Sequence, residues 1–223
     1  MEADLLRLAR STGPVLTDYT RGERIELNAP VVARWIAKVA DLVQDEAAGA
    51  PENVVVALPP SWRTVVWALG AVAAGARVHC PLPSEVEHAC AQLADVAILV
   101  CDQVHDVPAG LRLVQPMPAL ALFAADVPAP WLDAGTELMS RPDSLPPLDE
   151  PGLLDERPLA AGAQGADLRA RWVLPSHPGW LGAACQIVLA GGSVVLVEDQ
   201  LGTAQLAEIV ANERAAGVWT AAE

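Results

Sequence analysis

With 223 residues, 52% of them hydrophobic and 19% charged, the chain is long enough to bury a real core as one large domain or two small lobes. A formal net charge of −14, from 28 acidic and 14 basic residues, repels phosphate backbones and excludes nucleic acid as an expected partner. The longest apolar run, Val65 to Ala76, falls short of the roughly 18 residues of a membrane helix, and MEADLLRLAR lacks the apolar core of a signal peptide, so the expected location is the cytoplasm with no membrane partner.

PVLTDYT and ERIEL flank a turn at Arg21–Gly22 and predict a hairpin. A helix follows, with Asn28 as its cap and Pro30 in its first turn; Val32, Trp35, Ile36, Val39, Leu42 and Val43 recur on one face. NVVVAL (53–58) is β-branched and continuous, as a strand covered on both faces is. Pro59–Pro60 stop it, Ser61 caps a helix over WRTVVWALGAVAA, Gly75 closes that helix, and RVHCPL gives a short strand. Ser84 and Glu87 have the spacing of a capping box for a helix over 84–94, and VAILVCD (96–102) is the next buried strand. Strands alternating with helices predict a mainly parallel, covered sheet. Beyond Pro108, LRLVQPMPALALF predicts two short strands around Pro116 and Pro118, and 131–143 predicts a short helix. Residues 144–167, rich in Pro, Gly and acid, read as a linker or long surface loop. The alternation then resumes as strand RWVLPS, helix WLGAACQIVLA, strand SVVLVED, helix TAQLAEIVANERAA and strand GVWTAA.

In LAGGSVVLVED (189–199), Gly191 and Gly192 separate two apolar runs. A phosphate loop leads from strand into helix, where N–H groups converge; this order is helix, glycines, strand, so the pair reads as a C-cap and a corner. A weak echo between 71–83 and 186–198 fits either two lobes of related topology or the general use of Gly at helix ends. Cys80, Cys90, Cys101 and Cys185 sit in apolar surroundings without a C-x-x-C pair. With His79, His88 and His105, the first three make a dense group whose spacings match no zinc pattern; they read as core residues, and no metal is expected.

The hairpin, the helix and NVVVALPPSWRTVVWALGAVAAGARVHCPL together resemble the N-terminal region of the adenylate-forming (AMP-binding, acyl-CoA synthetase-like) enzymes. RWVLPSHPGWLGAACQIVLAGGSVVLVED resembles a later segment of the same family, and the chain is similar to a small actinobacterial family of short proteins distantly related to AMP-binding domains. The resemblance implies an α/β, acyl-CoA synthetase-like N-terminal fold with two lobes of mainly parallel sheet covered by helices. The expected boundaries are a first lobe over 1–143, an acidic loop or linker over 144–170, and a second, incomplete lobe over 171–223.

The family wraps ATP phosphates in a Ser/Thr/Gly-rich loop carrying a Lys, which the resemblance places around 150–172. That region keeps Gly162 and Gly165 but has no Ser, Thr or Lys, with Arg169 or Arg171 as candidates for its charge. The single lysine, Lys38, lies in the N-terminal helix, outside both lysine roles. The family's Thr-Glu pair, ribose Asp and C-terminal Lys come later in the pattern than Glu223, and Thr220 and Glu223 do not form the pair. No G-x-S-x-G or G-x-G-x-x-G is present. The expectation is therefore a pseudoenzyme with no catalytic residues and no required cofactor, ATP or AMP being the ligands the resemblance would allow.

His177 in VLPSHPGW matches a position where the family has His or an aromatic beside the acyl pocket, which makes His177, Trp180 and Ser176 the candidate pocket residues. The alternative is a helix entry in which Ser176 caps, Pro178 starts the helix and His177 is exposed. Three function classes follow: a binding or scaffold protein for a protein partner or its own copy, a nucleotide or acyl binder without turnover, and an ATP-dependent acid ligase completed by another chain.

Overall fold

The computed structural model describes residues 1–46, 53–118, 121–148, 151–154 and 166–219. In chain order the elements are α1 (Glu2–Arg10), β1 (Pro14–Asp18), β2 (Ile25–Asn28), α2 (Ala29–Glu46), β3 (Asn53–Ala57), α3 (Trp62–Ala73) and β4 (Arg77–His79). A 3-10 turn (Pro83–Glu85) leads into α4 (Val86–Ala91), β5 (Ile98–Cys101), β6 (Leu111–Val114), β7 (Leu132–Asp133), α5 (Ala134–Met139) and β8 (Leu153–Leu154). The last elements are β9 (Arg171–Pro175), α6 (Trp180–Ala190), β10 (Ser193–Val197), α7 (Thr203–Asn212) and β11 (Gly217–Val218). The chain divides into two compact units, one of Met1–Ala33, Pro60–Val65 and Glu156–Glu223, the other of Arg34–Pro59 and Val66–Asp155.

The first unit holds a five-stranded sheet in the order β11-β9-β10-β1-β2. β1, β9, β10 and β11 run parallel, and β2 returns antiparallel as the expected hairpin partner. The expected lobes follow chain order, with the hairpin in 1–143; the hydrogen bonds instead place Leu16 beside Val194. The reason is burial: Val15 and Leu16 are both in the core, and a lone hairpin covers neither face nor both edges. α1 has no side-chain cap, but buries Leu5 and Leu8 on one face. Its Arg7 donates to the Leu189 carbonyl near the end of α6, where the helix dipole favours a cation. The glycine pair behaves as its order predicts. Gly191 takes φ +90 as the C-cap of α6, and the Gly192 N–H donates to the Ile187 carbonyl at 2.9 Å. A Cβ on Gly192 would lie 2.1 Å from the Leu168 carbonyl oxygen, so the corner admits only glycine.

The second unit holds a six-stranded, wholly parallel sheet in the order β7-β6-β5-β3-β4-β8. Val54 to Ala57 and Ile98 to Cys101 are all buried, as continuous β-branched or apolar runs predict. The Ser84–Glu87 box does not form: Pro83 opens a 3-10 turn, Ser84 falls inside it, and α4 begins at an N-cap Glu85 with no side-chain bond. Of the two strands expected around Pro116 and Pro118, β6 alone appears among the described residues, ending before Pro116; prolines donate nothing to a ladder. The expected linker is partly ordered sheet. Leu153 and Leu154 pair with β4, and Gly152 fits where a Cβ would sit 1.8 Å from the Ala76 carbonyl oxygen. Upstream, the chain is tied to α2. Lys38 reaches Asp143 at 2.8 Å and the Arg141 carbonyl at 2.5 Å, Arg141 pairs with Asp45 at 2.6 Å, and Gln44 donates to the Pro147 carbonyl.

α2 and α3 approach closely at Gly70, where a Cβ would lie 2.5 Å from Val39 Cβ and 2.9 Å from the Ile36 carbonyl oxygen. Gly70→Ala gains about 1 kcal/mol of helix propensity but introduces a steric clash of about 1–3 kcal/mol. The expected outcome is a net loss in urea unfolding, with Val39→Ala recovering part of it as a positive coupling in a double-mutant cycle. Additive losses would place the strain elsewhere.

Candidate functional site

In the first unit, the carboxyl ends of four parallel strands share one edge. β9 leads through α6 to β10 on one side, and β10 leads through α7 to β11 on the other side of β9. The strand order thus reverses at β9, and ligands of open α/β sheets settle outside the carboxyl ends at such a reversal. The sequence candidates lie here. The Ser176 N–H extends the β9–β10 ladder by donating to the Val197 carbonyl at 3.1 Å. The Trp180 N–H donates to the His177 carbonyl at 3.1 Å, so His177 and Trp180 occupy one tight turn. The Ser176 cap and Pro178 start are not what forms: α6 begins at Trp180, and its N-cap is Gly179, φ +86, with no side-chain cap. Only glycine takes that backbone readily, which moves the helix start past the proline.

His177 Nδ1 lies 2.8 Å from the Pro178 carbonyl oxygen. A carbonyl only accepts, so Nδ1 carries the proton and Nε2 of the neutral ring is an acceptor. Nε2 is buried without a hydrogen-bond partner among the described residues. At the end of the neighbouring β11, Trp219 is 3% exposed and its Nε1–H is also without a partner. Trp219 meets Trp172 edge-on at 5.4 Å, while the Trp172 Nε1–H donates to the Asp167 carbonyl. Each unpaired buried polar atom costs on the order of 1–3 kcal/mol. Trp219 was not legible as a site residue, because its position depends on the β9–β11 pairing.

The charged groups of this unit are organised differently. Glu213, at the C-cap of α7, accepts from Tyr19 Oη at 2.5 Å, Arg24 Nε at 2.7 Å and an Arg171 guanidinium nitrogen at 2.5 Å. Arg171 also donates to Thr17 and Ser193. The Arg24 hydrogen bond, then those of Tyr19 and Arg171, hold the Glu213 carboxyl down to about 2 against the cost of burial. Asp18, at the end of β1, accepts from the Trp62 N–H at 2.8 Å and from Thr20. Together with Ser61, which accepts from the Thr64 N–H as its spacing predicts, Asp18 fills the start of α3. Arg63 stacks over Trp62 at 4.4 Å, and burial lowers its guanidinium to about 10.

Gly162 and Gly165 lie outside the described residues, as do Thr220 and Glu223. Arg171 stands at the amino end of β9, away from His177, and is engaged by Glu213; Arg169 is exposed. In the second unit, Cys90 and Cys101 join one apolar cluster, and burial pushes the Cys101 thiol up to about 12. His79 Nε2 lies 2.9 Å from Asn53 Oδ1, and His105 lies 3.9 Å from Glu87. Among the described residues no group of three or more His, Cys, Asp or Glu side chains is placed to hold a metal.

No family model matches the chain. A Mycobacterium tuberculosis protein, named only as a member of a numbered protein family, is 28% identical over 88% of this chain and 87% of its own length. Among solved structures, the Brucella canis acyl-CoA synthetase matches with a TM-score of 0.72 at 14% identity, over 96% of this chain and 46% of that one. The amide bond synthetase McbA from Marinactinospora thermotolerans matches at 0.66 and 17% identity, over 96% and 48%. The Klebsiella oxytoca NpsA N-terminal subdomain in complex with 3-hydroxybenzoyl-AMSN matches at 0.64 and 13%, over 97% and 58%. The fold is that of the N-terminal part of acyl-CoA synthetase-like enzymes, as expected, and the chain spans about half the length of these structures.

Because the Glu213 carboxyl is held below its ordinary value in the fold, its contribution is full above the unfolded value and is lost as pH falls toward about 2. A displacement of that size corresponds to on the order of 3 kcal/mol. Glu213→Gln is expected to destabilise by about that amount at neutral pH in urea unfolding, and the gap to the parent should close between about pH 5 and about pH 2. A gap independent of pH would show that the carboxylate charge is not what holds the network.

Proposed function

We propose that this chain is a binding protein, without independent adenylation chemistry, that takes a small ligand at the carboxyl edge of the first unit's sheet. The observation that carries the reading is the buried His177 Nε2, without a hydrogen-bond partner among the described residues, in the turn that follows β9 at the strand-order reversal. The fold supports a nucleotide or acyl ligand as the class to test, since one similar structure is named an acyl-CoA synthetase and another is in complex with 3-hydroxybenzoyl-AMSN.

Two features argue against turnover by this chain. Stabilising the charge that develops in adenylation needs cations free to meet it. Arg171 is bound to Glu213, Thr17 and Ser193, and Lys38 is bound to Asp143 and the Arg141 carbonyl. The exposed Arg169 is left from the cations weighed for that role. The sequence at 150–172 also lacks the hydroxyls and lysine of a phosphate loop.

A second reading, a cytoplasmic scaffold that docks a protein partner or its own copy, draws on the large apolar side chains left exposed in the second unit, Phe123 at 56% and Leu153 at 64%. No helix among the described residues is long and apolar enough to cross a membrane.

Calorimetric titration with ATP, AMP and an acyl-adenylate analogue, together with a pyrophosphate-release assay, tests the reading. Saturable binding of at least one of the three is expected, weakened about tenfold or more by His177→Leu, with no Mg-ATP-dependent pyrophosphate release. Silence toward all three ligands would overturn the ligand-binding reading in favour of the scaffold, and pyrophosphate release would overturn the non-catalytic one.

A further inference from the structure

The second unit has a strand-order reversal of its own. From β3 the chain crosses through α3 to β4 on one side, then returns through α4 to β5 on the other side of β3. β6 and β7 follow outward from β5, so, counting β3 as the first, these five strands lie in the doubly wound order 2-1-3-4-5. Ligands of such sheets settle outside the carboxyl ends of the first and third strands, here β3 and β5. Ala57, the last residue of β3, pairs with Cys101, the last of β5, so Leu58 and Asp102 follow side by side at that edge.

The loop that leaves this edge, Asp102 to Val107, carries two unsatisfied polar groups. Asp102 is half-buried, and its Oδ1 is buried without a hydrogen-bond partner among the described residues. The His105 side chain is 12% exposed, and its Nε2 is buried without a partner in the same way. Val107 joins the apolar cluster that contains Val86 and Cys90, which holds the loop on the face that α4 covers. From the first turn of α4, Glu87 Oε1 lies 3.9 Å from His105 Nδ1. That carboxylate favours the proton on Nδ1, so Nε2 of the neutral ring is an acceptor, as a carboxylate oxygen is. One short loop therefore buries two acceptors without a donor, at the edge where its topology places a ligand.

We propose that the loop beyond β5 binds a small primary amine in its ammonium form, with the N–H groups shared between Asp102 Oδ1 and His105 Nε2. The apolar body of the amine lies over Val104, which is 46% exposed. An ammonium offers three rotatable donors to these acceptors, whereas a phosphate or carboxylate offers none and meets Asp102, Glu87 and the exposed Asp106 as like charges. The site rests on the second unit alone and does not depend on the ligand taken at the His177 edge.

The test is an amide-resolved NMR titration of the full chain with benzylamine and butylamine, and with benzyl alcohol and 1-butanol as neutral counterparts. Saturable shifts centred on residues 86–88 and 102–107 are expected for the amines, at least about tenfold tighter than for the alcohols. Asp102→Asn should abolish that preference while leaving the thermal midpoint unchanged or raised, since it removes an unpaired carboxylate. His105→Phe, which keeps a ring without the acceptor, should weaken amine binding at least about threefold. Equal response to amine and alcohol, no saturable shift with any of the four, or shifts that scatter over the acidic surface and fade in salt would each overturn the proposal. So would a clear loss of stability in Asp102→Asn, by making Asp102 a structural residue, or unchanged amine binding in His105→Phe.

Discussion

The pairing of β1 with β10 is the constraint on which the first unit depends. Leu16 lies beside Val194, so the start of the chain completes a sheet whose other parallel strands come from its end. Without β1, β10 would be an edge strand with a fully apolar face, a form that soluble proteins avoid. The Glu213 node reinforces this non-local join. It gathers Tyr19 and Arg24 from the hairpin region and Arg171 from β9 onto the end of α7, so one carboxylate fixes three segments that are remote in sequence. Pairings of such separation form late and slowly, which gives a buried, charge-assisted node a reason to exist in a sheet already well supplied with apolar burial.

Local chemistry was the legible part of the fold. Asn28 accepts from the Val31 N–H as a cap, Ser61 does the same for α3, Gly75 takes φ +92, and Gly191 closes α6. Each outcome is set within one helical turn, where sequence spacing is also spatial distance. What escaped was set by neighbours distant in the chain. Asp18 reads as an ordinary residue at a strand end, yet it caps α3; Leu153–Leu154 read as part of a Pro-rich linker, yet they extend a sheet through β4. The Ser84 box failed for a local reason, because Pro83 favours a tighter turn that swallows the serine.

The candidate site divides the same way. His177 and Trp180 were found because one turn holds them, whereas Trp219, packed against Trp172, is placed beside β9 only through strand pairing. Several of the chain's cations are held by carboxylates. Arg24, Arg141, Arg171 and Lys38 all have carboxylate partners, as expected of a chain with twice as many acids as bases.

Helix starts sharpen where an anion or a polar ligand could approach the first unit. A helix N-terminus presents unsatisfied N–H groups, and whatever fills them decides whether a ligand can. α2 begins on Asn28, α3 on Asp18 and Ser61, and α7 with Gln205 accepting from the Gly202 N–H. At α3 the occupant is itself an anion, so a phosphate there would have to displace a buried carboxylate. α6 begins on Gly179 with no side-chain cap, in the same turn as the unpartnered His177 Nε2 and beside the strand reversal. The glycines that look like a phosphate loop, Gly191 and Gly192, close the far end of this helix, where carbonyls point outward and anions are disfavoured. The end of α6 at which the proposed ligand would enter is thus the one opened by Ser176–Gly179, where the His177 ring stands.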